Sequence, residues 1–105
     1  MSDFQTVARV GDIPDGQGRA YEVNGVIVAV FNVDGEYTAI DDCCPHQGGP
    51  LSEGEIEGEA VICPWHAWRF SIKDGRWLDN PTSKLKVETF EVRVVENEIQ
   101  VHVPD

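Results

Sequence analysis

The sequence predicts an all-β fold, and three observations carry that expectation. Short runs of β-branched and aromatic residues recur along the chain, Asn-Gly and Asp-Gly pairs punctuate them, and no window of about eleven residues or more holds a helical period. At 105 residues the chain has the size of one domain, able to bury a modest core without disulfide staples.

Met1 to Val10 has no basic stretch followed by an apolar one, so no signal peptide is expected. The loop Asp12-Ile13-Pro14-Asp15-Gly16 then leads into strands. Val26 to Phe31 is a continuous β-branched and aromatic run bracketed by Asn24-Gly25 and Asp34-Gly35, both hairpin-turn pairs. With Tyr37 to Ile40 as the next strand, the N-terminal part reads as a small antiparallel meander. Near the other end Phe90, Val92 and Val94 alternate with Glu91 and Arg93, and Ile99, Val101 and Val103 alternate with Gln100 and His102. This is a second hairpin, turning near Glu96-Asn97, and His102 on its polar face reads as a surface residue. Between the ends, from about Cys43 to Asn80, the composition shifts to Gly, Pro, Trp, Cys and His. The expected organisation is one domain, an antiparallel β base of residues 1–42 and 81–105 with a β subdomain of about 43–80 inserted into it.

Apolar content of 41% and charged content of 26% are those of a folded soluble protein, and no segment is long or apolar enough to cross a bilayer. With 8 basic against 19 acidic residues the net charge is −11, which makes nucleic acid and anionic membranes poor partners and a basic protein surface a better one. Three cysteines cannot all pair within the chain, and two lie in a pattern with histidines, which favours a metal site over a disulfide scaffold. A reducing compartment suits such a site, so the cytoplasm is expected.

The middle segment holds Cys44-Pro45-His46-Gln47-Gly48-Gly49-Pro50 and, after a stretch rich in Glu, Cys63-Pro64-Trp65-His66. Two thiolates and two imidazoles also suit a structural zinc, so a zinc-stabilised interaction module is the distant alternative. Zinc fingers usually group cysteines with cysteines, whereas here each short loop supplies one Cys and one His. Two such loops facing each other can place the sulfurs on one side and the nitrogens on the other, as a binuclear site with unlike irons requires. The segment resembles the Rieske 2Fe-2S family in this spacing, in the Pro after each Cys, in Gly48-Gly49, in Leu51 and Gly54, and in the later Gly75. The resemblance spans nearly the whole chain.

It implies a Rieske-type fold and one 2Fe-2S cluster, with Cys44 and Cys63 on one iron and His46 and His66 on the other. Cys43 also stands at a ligand-like distance from His46, but the family has C-x-H here, which assigns Cys44 and leaves Cys43 as a small half-buried thiol. Two thiolates with two neutral imidazoles leave such a site less negative than four thiolates would, which is why Rieske potentials, roughly −150 to +300 mV, lie above those of plant-type clusters. A ferric neighbour also acidifies the far N–H of each imidazole, so the potential is expected to fall as pH rises through the oxidised-state His pKa values.

High-potential members of the family carry a loop disulfide and Ser and Tyr hydroxyls around the cluster. At the matching positions this chain has Gly49 and Trp65, and Trp68 and Phe70, none of which supplies a hydroxyl. The likeness is therefore to low-potential Rieske ferredoxins and to the small subunits of NAD(P)H nitrite reductases. Ala67 departs from the family's usual Gly after the second His, and slight loop reshaping is expected there. Asn80-Pro81-Thr82 lies where the family places a third loop over the cluster, with Pro81 helping to exclude water. Trp65, Trp68, Phe70 and Trp77 are expected to pack the subdomain rather than form an electron path. Glu53, Glu55, Glu57 and Glu59 alternate with Gly54, Ile56 and Gly58, so an extended conformation would line four carboxylates on one face, either steering a basic redox partner or forming a charged solvent edge.

No nucleophile with a base, no paired acids and no nucleotide-binding glycine pattern appear, so no catalysis by the chain alone is expected. The leading expectation is a ferredoxin passing single electrons from a flavin-dependent reductase to a terminal oxygenase. The alternative is the small subunit of an assimilatory NAD(P)H nitrite reductase, bound to its large subunit.

Overall fold

A computed structural model describes residues 4–42, 50–64, 68–80, 82, 84 and 86–103. The chain forms β1 (Gln5–Arg9), β2 (Gln17–Val23), β3 (Val26–Val33), β4 (Glu36–Asp41), a 3-10 turn (Leu51–Glu53), β5 (Glu55–Glu57), β6 (Ala60–Ile62), β7 (Arg69–Ser71), β8 (Thr89–Val95) and β9 (Glu98–His102). Among the described residues there is no α-helix, and no helix long and apolar enough to cross a membrane.

One sheet has six strands in the order β1-β9-β8-β4-β3-β2, and a second has three, β5-β6-β7. The pairs Asn24-Gly25, Asp34-Gly35 and Glu96-Asn97 each join neighbouring strands through two residues of positive φ, the conformation that keeps right-twisted strands paired. The larger sheet curls until its two edge strands approach. Asn24 clasps that seam, accepting from Gln5 Nε2 of β1 at 2.7 Å and donating to the Val103 carbonyl beyond β9 at 3.0 Å.

Inside the curl lies a core of Ala8, Ile13, Val23, Val28, Val30, Ala39, Ile99, Val101 and Val103. Ile13 comes from the entry loop, which is therefore a plug in the curl, held by Asn32 Nδ2 donating to the Ile13 carbonyl at 2.8 Å. A second core lies between the sheets, where Ala29, Phe31 and Ile40 of the larger one meet Leu51, Val61, Cys63, Phe70, Ile72 and Val87. Successive β3 side chains go to opposite cores, Val28 and Val30 to one and Ala29 and Phe31 to the other. A strand covered on both faces reads as an unbroken apolar run, which is how Val26 to Phe31 reads.

One expectation needs correction. The four glutamates do not share one face: Glu53 lies in the 3-10 turn, Glu59 follows Gly58 in the β5–β6 turn, and only Glu55 and Glu57 sit on one face of β5, although all four are exposed. On β8 Val94 is 48% exposed, because β8 pairs with β4 only at Thr89 and Phe90 and then runs past it. His102 is half-buried, its ring 5.4 Å from that of Phe4.

Candidate metal centre

Each candidate ligand loop leaves and re-enters the fold through described residues that hold its two ends together. For the first, the Asp42 carbonyl accepts the Leu51 N–H at 2.8 Å and the Asp42 carboxylate accepts the Ser52 N–H at 2.6 Å. Segment 43–50 is thereby closed where β4 ends. For the second, the Cys63 N–H donates to the Trp68 carbonyl at 2.8 Å, closing segment 64–67 between β6 and β7. Gly54 brings the exit of the first loop against the entry of the second, since a Cβ there would lie 2.0 Å from the Ile62 carbonyl oxygen, just before Cys63.

Of the candidate ligands, Cys63 is the described one, and it is 1% exposed in the core between the sheets. Cys44, His46 and His66, with Gly49, Trp65 and Pro81 and also Cys43 and Ala67, lie outside the described residues. Trp68 stacks on Trp77 with ring centroids 4.0 Å apart and 16° between planes, and lies 6.5 Å from the fully buried Phe70. These three rings pack together, as expected of them; the fourth of that set, Trp65, lies outside the described residues. They form an apolar wall beside the second loop with no hydroxyl in it.

Behind that wall Asp79 accepts from both the Arg69 N–H and Arg69 Nε at 2.9 Å, while the Leu78 N–H donates to the Arg69 carbonyl at 2.8 Å. The Arg69 N–H, and after it the guanidinium, holds the Asp79 carboxyl below the usual carboxylate range. This fork ties the approach to Asn80-Pro81-Thr82 to the exit of the second ligand loop. Neither Asp42 nor Asp79 stood out in the sequence, because both act through backbone N–H groups that no residue pattern displays.

The donor set suits an iron-sulfur cluster. One cysteine lies buried among apolar side chains, and the sequence of each loop carries cysteine and histidine close together, Cys43-Cys44-Pro45-His46 in the first and Cys63-Pro64-Trp65-His66 in the second. When bound, such a cluster supplies a site that takes up and releases one electron, and the chain's part is to hold, shield and orient it.

Comparison with known proteins agrees. Residues 3–97 match the family model of the Rieske [2Fe-2S] domain. The chain is 36% identical over 87 residues to the ferredoxin component of the naphthalene 1,2-dioxygenase/salicylate 5-hydroxylase systems of a Ralstonia species, covering 83% of each chain. It is 37% identical over 97 residues to the 3-phenylpropionate/cinnamic acid dioxygenase ferredoxin subunit of Escherichia coli K12, covering 91% of this chain and 90% of that one. Among solved structures, a putative NADH-dependent nitrite reductase small subunit from Mycobacterium tuberculosis superposes with a TM-score of 0.91, with 26% identity over 100% of this chain and 98% of that one. The chain belongs to the Rieske [2Fe-2S] domain family and carries one Rieske-type 2Fe-2S cluster.

Proposed function

We propose that the protein is the ferredoxin component of an oxygenase system, a cytoplasmic one-electron carrier between a flavin-dependent reductase and a terminal oxygenase. The observation that carries this reading is the match to dioxygenase ferredoxins over most of both chains. Cys44 and Cys63 hold one iron and His46 and His66 the other, and the imidazole edges are the electron's exit. Residues 43–80 form the cluster-binding unit on a base of 1–42 and 81–105, a division supported by the separate three-stranded sheet. Its potential lies at the low end of the Rieske range, since Trp68 and Phe70 stand where high-potential members have hydroxyls and both rings are engaged in packing.

The close superposition on a nitrite reductase small subunit supports a second reading, in which the chain is a fixed subunit of a larger enzyme. Purification from its own cells separates the two. A carrier emerges by itself and is reduced rapidly by a separate flavin reductase and NADH, while a subunit emerges with a large flavin- and haem-containing chain. For the carrier, the net charge of −11 and exposed Glu53, Glu55 and Glu57 favour a basic docking surface, so transfer to the partner should slow as salt is added. A rate independent of salt would remove the steering role.

A further inference from the structure

Asp42 is a buried carboxylate whose charge has no part in electron carriage as described above. It is 8% exposed, and the ion pairs among the described residues join Arg69 to Asp79, Lys73 to Glu36 and Glu59, and Arg76 to Asp74, not Asp42 to a cation. Burial of an ionised group is costly unless hydrogen bonds replace its water. Here the bond from the Ser52 N–H is short, 2.6 Å, and it comes from the far end of the first ligand loop. The same residue's carbonyl accepts the Leu51 N–H at 2.8 Å, and its own N–H donates to the Ile27 carbonyl of β3 at 3.0 Å. One residue thus fixes the span of segment 43–50 and anchors it to the larger sheet. Cys44 follows two residues later, so covalent geometry keeps their Cα atoms within about 7 Å.

We propose that Asp42 is a positioning residue for the cluster, its carboxylate holding the first ligand loop at a fixed span while its water-shielded negative charge disfavours arrival of the electron. The inference rests on the assignment of Cys44 as a ligand. A fixed charge acts strongly on a nearby redox site where solvent screening is weak. A serine or asparagine at this position could hold a loop end; only a carboxylate holds the loop and opposes reduction.

Four variants test this. D42N keeps an acceptor oxygen for the Ser52 N–H and removes the charge. It should bind iron and sulfide in the wild-type ratio with unchanged visible circular dichroism, yet at a fixed applied potential its reduced-to-oxidised ratio should rise roughly three- to tenfold. D34N makes the same charge change at an exposed turn at the other end of β4, about 20 Å away by strand rise and beyond a Debye length, and should leave the ratio unchanged. D42A loses the acceptor as well, and should release iron to a chelator several-fold faster with an altered circular dichroism. A wild-type ratio in D42N overturns the charge role, and wild-type iron retention and dichroism in D42A overturn the positioning role. Should D42A accumulate only as insoluble chain, the D42N ratio decides. C44S should lose the cluster, and a full cluster in C44S shows instead that the ligand assignment has failed.

Discussion

At the scale of single residues, Gly54 sits where two backbones crowd together. Its φ of −75° is open to any residue, so what excludes a side chain is clearance, a Cβ lying 2.0 Å from the Ile62 carbonyl oxygen. Gly54→Ala should therefore destabilise the fold by about 1–3 kcal/mol, the usual cost of overpacking, and because the strain falls on the residue before Cys63 the visible colour should bleach sooner on heating. Wild-type stability in a denaturant titration would show that β5 and β6 part freely. The sequence marked Gly54 and Gly75 only by family likeness. Gly75 has the same backbone approach, its absent Cβ 2.0 Å from the Val87 carbonyl oxygen, together with a φ of 78°. Such distances join segments remote in sequence and are invisible in any local pattern. The Cys and His spacing was legible because metal ligation restricts residue type and spacing together. The glutamate row was misread because alternation implies one face only if the backbone stays extended, and the turns at Leu51–Glu53 and Gly58 interrupt it.

At the scale of elements, the hairpins were readable and β1 was not. Turn pairs with positive φ advertise themselves, whereas the register of β1 against β9 shifts between Thr6 and Ala8, so adjacent Val7 and Ala8 both pack against the core within the curl and the period of two is lost. The fork between Asp79 and Arg69 makes an acid-sensitive joint between elements. The Asp79 carboxyl is held below its ordinary 3.8 by the Arg69 N–H first, so its contribution is complete above that value and is lost as pH falls through the lowered pKa. Asp79→Asn should remove this dependence. Comparing the acid unfolding of the two proteins checks it: the difference between them should shrink only at strongly acid pH, and a difference already vanishing near neutrality would assign the joint to another group.

At the scale of the whole molecule, one ionic tie among the described residues crosses the junction of the two sheets. Lys73, after β7, meets Glu59 of the β5–β6 turn at 3.0 Å and Glu36 of β4 at 3.5 Å, beside a cleft lined by Val33, Thr38 and Ile72. The hydrogen bond that Lys73 donates to Glu59 first, and the charge of Glu36 next, raise the Lys73 pKa above 10.5. A raised lysine pKa means that its contribution is present below 10.5 and disappears as pH climbs through the higher, folded value. The stability difference between wild type and Lys73→Met should thus be small and constant near neutrality, reduced by salt, and abolished at strongly alkaline pH. Persistence of that difference in strong alkali would point to packing by the lysine stem instead.

The double burial of β3 bears on how freely the sequence can drift. On most strands of such a fold, a change in volume can relax toward water on one side. Val28, Ala29, Val30 and Phe31 have no such side, since each is fully buried and neighbours face different cores. A backbone shift that accommodates a larger residue at Ala29 would press Val28 and Val30 into the curl, and one that fills a gap at Val30 would draw Phe31 away from Leu51 and Cys63. Substitutions here must be matched by partners in both cores at once, so this short stretch transmits the history of the β base directly to the surroundings of Cys63.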